Sequence, residues 1–342
     1  MNSRKVLKSN FVYFYIIVYY MRMCNFLNRY EILTPEQNGF REGKSTTLAC
    51  FLLIQSVLDS LNAKDHVAAL YLDLSKAFDL VNHSILLEKL ERYGIRGPAY
   101  LWIESYLKNR KQITRITKIS RKNKLMENYD SSMKINTIGV PQGSVLGPLL
   151  FLIYINDLPK STKHQTVLFA DDTTIIVRAK NDKDLEHEIN TALSDVIQWL
   201  EANKLRINTT KTKYVIFSPY NSNRNKLPLQ LNNNMIQRVA ETNFLGVMID
   251  EHCNWKSQVQ KVCKTVNKFV YALKKISSVT SIETAIMVYH SYICSVFRYG
   301  IVLWGNSTDI QRVFLAQKKC IRAIWIDLCL EYEVHRFLSI KI

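Results

Sequence analysis

The segment TVLFADDTTIIVRA, residues 166–179, admits few foldings. An apolar run, two aspartates and a second apolar run read as strand, tight turn, strand, because Asp favours turns and β-branched flanks favour strands. Asp171 and Asp172 are therefore expected between two strands. Upstream, VAALYL is a short continuous apolar run, consistent with a buried strand ending at Asp73. Helices are expected from Thr46 to Leu61, capped by Ser45 and Thr46, and near 83–93 and 98–108, with YGIRGP as the breaker between them. Residues 110–134 are basic and polar and read as a loop or an exposed ribbon. A glycine-rich turn then leads into a strongly apolar helix over about 144–157, and Asp182–Ala202 is amphipathic, with Leu185, Ile189, Leu193, Ile197 and Leu200 on one stripe. KYVIF and NFLGVMID read as one further strand each, separated by an Asn- and Pro-containing loop over 219–235.

Beyond Trp255 only helical periodicity remains. Val259, Val262, Val266, Phe269, Leu273 and Ile276 form an apolar stripe, and Lys256, Lys261, Lys264, Lys268, Lys274 and Lys275 occupy the rest of that helix, facing solvent. Two more helical segments are expected near 281–299 and 309–326, and a domain boundary near 250–255. A chain of 342 residues can bury a sizeable core in one large domain or two to three smaller ones. Its 47% hydrophobic and 22% charged residues argue against disorder, collagen and small disulfide scaffolds. Lys and Arg number 46 against 29 Asp and Glu, a net +17, which suggests a polyanionic partner such as nucleic acid or an anionic membrane face.

Seven scattered cysteines without CxxC spacing point to neither a zinc site nor a disulfide framework, and fit a reducing intracellular compartment. At the N-terminus, Arg4, Lys5 and Lys8 precede an apolar run from Phe11 to Met21 that mimics a signal peptide. The run is shorter than the ~20 residues needed to cross a bilayer, and no small-residue cleavage site follows. Residues 1–26 are expected as a core segment or a leader unlike the rest, and secretion is not expected.

Asp73, Asp171 and Asp172 sit where strand ends and a hairpin turn would place them. Carboxylates there can hold two hard divalent cations, and two metals about 4 Å apart clamp both oxygens of an in-line phosphoryl displacement. An aspartate pair in a turn is by itself more often a solvated β-turn, and an Asp after a strand more often a helix cap. GVPQGSVLGP strengthens the chemical reading, because Gly139, Gly143 and Gly147 are three of only 10 glycines and let the backbone approach a substrate. Gly39 and Gly43 form a further pair in QNGFREGKST.

QNGFREGKST, LYLDLSKAFDLVNH, GVPQGSVLGPLLFLIYINDLP, VLFADDTTI, LRINTTKTKYVIF and NFLGVMID together resemble reverse transcriptases in order and spacing, most closely those of jockey-type, non-long-terminal-repeat retrotransposons. The resemblance runs from about Leu27 to Ile249. The tail, with YGIVLWG and AQKKCIRAIW, is similar to the region that follows the polymerase in those elements. It implies an α+β right-hand polymerase, with a palm of antiparallel sheet plus helices, partial fingers and an all-α thumb. Residues 1–26 would be a poorly matched leader, 27–252 fingers and palm, and 253–342 a truncated thumb and tail.

The resemblance also implies roles. Asp73, Asp171 and Asp172 would be the metal-binding carboxylates, joined by the Leu74 carbonyl, with two Mg²⁺ or Mn²⁺ as cofactor. Phe78 would exclude the ribose 2′-hydroxyl; from the residues alone it is equally a core aromatic. Gln142 and Gly143 would line the nucleotide and template base, Lys211 would protonate the leaving pyrophosphate, and Arg41 would meet template or triphosphate. NFLGV, with Leu245 and Gly246, would be the hairpin that grips the primer end, and Lys261, Lys264 and Lys268 would follow the nucleic-acid backbone. Asp79 and Asn82 are expected as local helix caps. Implied partners are an RNA template, a DNA primer and deoxynucleoside triphosphates, with no membrane and no obligate protein partner, in the nucleus or cytoplasm as a ribonucleoprotein.

The sequence departs from the family in three ways. Only about 35 residues precede QNGFREG, no endonuclease domain precedes it, and the tail stops early, as in a fragment of an element. The alternative reading is therefore a catalytically inactive nucleic-acid-binding remnant with an intact palm. A nucleotide cyclase would share the carboxylates but has no use for PQGS or QNGFREG.

Overall fold

The computed structural model describes residues 3–119, 126–219, 229–231 and 234–324. Helices α1 (Ser3–Arg29) and α2 (Thr46–Asn62) precede strand β1 (His66–Leu72), and α3 (His83–Arg92) and α4 (Gly97–Leu107) follow it. Strands β2 (Arg110–Gln112), β3 (Arg115–Ile119), β4 (Met126–Asp130) and β5 (Lys134–Asn136) lead to α5 (Leu146–Ile155). Next come β6 (Gln165–Phe169), β7 (Asp172–Ala179), α6 (Asp182–Ala202) and β8 (Lys213–Phe217). The short strands β9 (Gln230–Leu231), β10 (Asn234–Met235) and β11 (Gln237–Arg238) are followed by β12 (Glu241–Phe244) and β13 (Val247–Asp250). Only helices follow among the described residues: α7 (Lys256–Ser277), α8 (Ile282–Val288), α9 (Ser295–Arg298), α10 (Ile301–Trp304) and α11 (Ile310–Ile324). The chain is thus α+β, as expected. Most of the loop expected over 219–235, the end of the last expected helix at 325–326, Cys329 and the tail to 342 lie outside the described residues.

Two units form, one of Met1–Ala49, Ala68–Tyr214 and Leu227–Gln237, the other of Cys50–Val67, Val215–Lys226 and Arg238–Ile342. In the first, α5 is the anchor. Every residue of LGPLLFLIYI except Pro148 is buried, and a helix apolar all round belongs in a core. Each large side chain so buried contributes roughly 1.5–3 kcal/mol. Its polar groups are satisfied: the Tyr154 hydroxyl donates to the Asn203 carbonyl at 2.5 Å, and Lys89 Nζ donates to the Tyr154 carbonyl and to Asp157 Oδ1, both at 2.6 Å. Burial pulls the Lys89 pKa down, and the bond to Asp157 opposes that pull.

Helix α6 begins where the Asn181 side chain accepts from the Asp184 amide, and buries Leu185, Ile189, Leu193 and Leu200 as its period predicts. Strands β1, β7 and β6 are consecutive in one sheet, with β6 and β7 antiparallel in the register Leu168↔Thr173 and Phe169↔Asp172. The segment expected as a core or leader is helical throughout α1: Met23 and Leu27 are buried, and Tyr19 stacks on Trp102 at 4.4 Å and donates to the Ala99 carbonyl at 2.7 Å. Among the described residues no helix is long and apolar enough to cross a membrane. In the segment expected as a loop or exposed ribbon, the described residues 110–119 and 126–136 pair as a ribbon, β2 with β5 and β3 with β4, and every residue of β3 and β4 is exposed.

In the second unit NFLGVMID is not one strand. Phe244 pairs with Val247, so Leu245 and Gly246 form a two-residue turn between β12 and β13. The boundary expected at 250–255 falls inside this unit because the hairpin is tied to the next helix. Asp250 accepts from the amides of His252, Asn254 and Trp255, and Gln258 accepts from the Met248 amide at 2.9 Å. Helix α7 buries Val259, Val262, Val266 and Leu273, and α11 buries Val313, Ala316 and Cys320. The segment expected as a helix over 281–299 continues from α8 to α9 through a π-helical stretch, Tyr289–Cys294.

Candidate active site

Strand β1 delivers Asp73 to its end, and the LRINTTKT segment lies beside it. The Asn208 amide donates to the Asp73 carbonyl at 2.8 Å, the Ser75 amide donates to the Arg206 carbonyl at 2.8 Å, and Leu74 bridges Ile207. Because Asp73 and Ser75 make these bonds, the Leu74 carbonyl faces away from that neighbour. A turn at Asn208 then brings Lys211 Nζ to 3.9 Å from Asp73 Oδ2. Both groups are solvent-accessible, so the pair adds little stability; what matters is that it places an ammonium beside a carboxylate.

The second pair of carboxylates depends on a strained turn. The residues between β6 and β7 are Ala170 and Asp171, not the two aspartates, since Asp172 already pairs with Phe169. Ala170 has a φ of +53°, a left-handed conformation that costs a residue with a Cβ about 1–2 kcal/mol. Gln37 holds it there. This buried side chain accepts from the Ala170 amide at 2.9 Å and the Gly39 amide at 2.8 Å, and donates to the Ala170 carbonyl at 3.3 Å. Gly39 is obligatory on steric grounds, because a Cβ there would lie 2.3 Å from the Ala170 nitrogen. The clamp was not expected from the sequence; the only signal was a glycine two residues after a Gln in a glycine-poor chain.

The three carboxylates feel one another's charge. Burial raises the Asp171 carboxyl, and the charge of Asp73 raises it further. The Asp172 carboxyl is raised by lost water on its protein side, although the residue is exposed, and then by Asp171 and Asp73. Like charges that disfavour each other's ionised form leave a local deficit of positive charge. Oxygen donors with such a deficit suit a hard divalent cation. Among the described residues no three His, Cys, Asp or Glu are gathered closely enough to form a complete metal cage as they stand.

Phe78 follows on a single 3₁₀ turn, Ala77–Asp79, half-buried with its ring stacked on the fully buried Phe151 at 4.3 Å. Phe40, next to Gly39, meets its edge at 6.4 Å, which links QNGF to both the hairpin turn and Phe78. The GVPQG turn joins the same segment. The Gly139 and Val140 amides donate to the Val81 and Phe78 carbonyls, and Gln142 Nε2 donates to Asp79 Oδ1 at 3.1 Å. Asn82 caps α3 as expected, but Asp79 does not cap; it receives Gln142 instead. Asp79, Arg110, Gln112 and residues 135–142 line an open cleft of about 620 Å³, with Gly143 exposed beside it. Arg41 is half-buried and donates from one amino group to the Thr34 carbonyl at 2.6 Å, tying the 33–41 loop.

The second unit carries the remaining expected residues. Leu245 and Gly246 occupy the hairpin turn with φ of +46° and +88°. Lys264 and Lys268 are exposed and line an open cleft of about 590 Å³ with Arg312. Lys261 differs from its neighbours: its Nζ donates to the Gly246 carbonyl at 2.6 Å and to Asn243 Oδ1 at 3.2 Å, because the helix start lies against the hairpin.

The reverse transcriptase (RNA-dependent DNA polymerase) family matches residues 18–249, beginning within the segment read as a leader. The chain is 25% identical over 317 residues to the probable RNA-directed DNA polymerase from transposon BS of Drosophila melanogaster, covering 89% of this chain and 34% of that protein. It is 27% identical over 304 residues to the corresponding protein of transposon X-element from the same species, covering 85% and 32%. It is 25% identical over 301 residues to the RNA-directed DNA polymerase from mobile element jockey, also of Drosophila melanogaster, covering 84% and 31%. The chain spans about a third of the length of these relatives.

Proposed function

The chain belongs to the reverse transcriptase (RNA-dependent DNA polymerase) family, and on that premise we propose that it is the polymerase portion of a jockey-type, non-long-terminal-repeat retrotransposon. It extends a DNA primer 3′-hydroxyl with deoxynucleoside triphosphates along an RNA template. The observation that carries this reading is the placement of the aspartates on neighbouring strands: Asp73 directly follows β1, with Lys211 Nζ 3.9 Å from it, and Asp171 and Asp172 lie in the β6–β7 turn and at the start of the adjacent β7. In this reading residues 27–252 supply palm and fingers, and the helices beyond supply a thumb. The ribonucleoprotein works in nucleus or cytoplasm.

The family implies divalent metal, and the oxygen donors present fit it. Asp73, Asp171, Asp172 and the Leu74 carbonyl would hold two Mg²⁺, or Mn²⁺ in their place. When bound, such cations neutralise the charge that develops as the α-phosphate is attacked and pyrophosphate departs. The protein's own groups then position and exclude. Lys211 delivers a proton to the leaving pyrophosphate oxygen. The Phe78 ring, backed by Phe151, stands against the sugar 2′ position. Gln142 and Gly143 line the base, while Arg41 acts through the loop that carries Phe40. Lys264, Lys268 and Arg312 attract the backbone phosphates of the duplex, a sequence-independent and salt-sensitive term.

A homopolymer extension assay beside filter binding tests the proposal. Incorporation of the complementary deoxynucleotide only, dependent on template, primer and divalent metal, is expected. Binding of primer–template with no incorporation would replace the proposal with the reading of an inactive nucleic-acid-binding remnant.

A further inference from the structure

YGIVLWG lies beyond residue 249, where the family match ends, and nothing in the proposed chemistry uses it. In the second unit its tyrosine meets the hairpin turn. The Tyr299 hydroxyl donates to the Leu245 carbonyl, and the Tyr299 ring lies so close over Gly246 that an added Cβ would sit 3.2 Å from its Cε1 and 3.5 Å from its hydroxyl oxygen. Lys261 Nζ takes the next carbonyl, that of Gly246, at 2.6 Å. Both consecutive carbonyls of the turn are thus held from the helical region, although Leu245 occupies a left-handed conformation that a branched side chain disfavours.

The tyrosine is itself fixed. It ends α9, Gly300 follows with φ +63°, and the indole of the fully buried Trp304 donates to the Tyr299 carbonyl at 3.0 Å. A Cβ on Gly300 would lie 3.2 Å from the Val247 side chain, so the Tyr–Gly corner abuts the residue that follows the turn. Tyr299, Gly300 and Trp304 of the motif act as one device against one two-residue turn.

We propose that Tyr299 is a positioning residue for the primer terminus: it sets the conformation of the Leu245–Gly246 turn, and so makes the helical region beyond the polymerase match part of the primer grip. The inference rests on the reading of that turn as the grip. It needs no charge on Tyr299, only the hydroxyl donor and the ring face.

The test uses the full chain and measures the preference for a primer–template with a recessed 3′ end over a blunt duplex of equal length, by fluorescence anisotropy. This readout does not require turnover, and thermal melting of each variant reports any general loss of structure. Tyr299→Phe keeps the ring and removes the donor. It should lower the preference by about fivefold, the factor carried by one neutral hydrogen bond, with the melting temperature little changed. Gly246→Ala, which attacks the same contact from the turn, should lower it at least as much. If Gly246→Ala loses the preference and Tyr299→Phe keeps it, the proposal is overturned and the grip reading stands. If Tyr299→Phe loses it and Gly246→Ala does not, the turn is not the lever and the proposal is also overturned. Wild-type protein without any such preference would remove the grip reading and the proposal together.

Discussion

Gln37→Met should damage the active centre from a residue that touches no substrate. Methionine preserves volume and flexibility but removes both polar ends of the clamp. The buried amides of Ala170 and Gly39 would then lose their acceptor. An unsatisfied buried amide costs about 1–3 kcal/mol, so the substitution should remove about 2–6 kcal/mol. The left-handed Ala170 adds its own strain, which favours local rearrangement of the turn over persistence of the native form. Asp171 lies next in the chain and would move with it. A displacement of about 1 Å at a reacting centre commonly costs about 100-fold in rate. Single-nucleotide addition under steady-state conditions and thermal melting check both consequences: kcat lowered about 100-fold and a melting temperature lowered by about 5–15 °C. A Gln37→Met protein that melted and turned over like the wild type would show that the clamp holds nothing of importance.

The raised carboxyls predict an inverse effect on stability. The folded state binds these protons more tightly than the unfolded chain, so stability is penalised above the raised values and recovers as pH falls toward the ordinary Asp value of 3.8. Asp171→Asn should therefore raise the melting temperature at neutral pH, by a margin that shrinks toward 3.8; a variant melting lower than wild type at pH 7 would contradict this. Phe78→Val should raise the ribonucleotide to deoxynucleotide ratio of kcat/KM by about tenfold or more, and an unchanged ratio would return Phe78 to a packing role against Phe151. Lys264→Ala with Lys268→Ala should flatten the slope of log K against log salt for primer–template by about two units, as nitrocellulose binding across a salt series would reveal, whereas an unaltered slope would make that helix face a solvated surface only.

The helices and the central strands were readable because burial imposes period. Asp182–Ala202 is a helix over the residues its apolar stripe predicts, and VAALYL is buried because nothing in it can face water. The placement of Asp73 after one strand and of the Asp171–Asp172 pair at a hairpin was readable from the apolar runs that flank them. What escaped were features that depend on long-range contacts. The tight turn shifted by one residue, from Asp171–Asp172 to Ala170–Asp171, because Gln37, 133 residues away, compensates the strain that Ala170 bears. The apolar run of NFLGVMID by itself reads as one strand, and only the resemblance implied a hairpin there, because Leu245 is not a residue that announces a left-handed turn; Tyr299, 54 residues on, and Lys261 hold it. Asp79 looked like a helix cap by position and is taken instead by Gln142 from the glycine-rich turn. Lys261 looked like its neighbours on the helical wheel, yet the hairpin beside the start of α7 engages it.

The most direct measurement compares primer extension by the wild type with Asp73→Asn, Asp171→Asn and Asp172→Asn on one RNA template, alongside the affinity of each protein for the same primer–template. If the three carboxylates form one metal-dependent centre, each substitution removes extension, by roughly 1,000-fold or more, while duplex affinity stays within about threefold of wild type. Extension that survives any one of them at near wild-type rate would contradict the account, since the chemistry would then have to lie elsewhere in the chain.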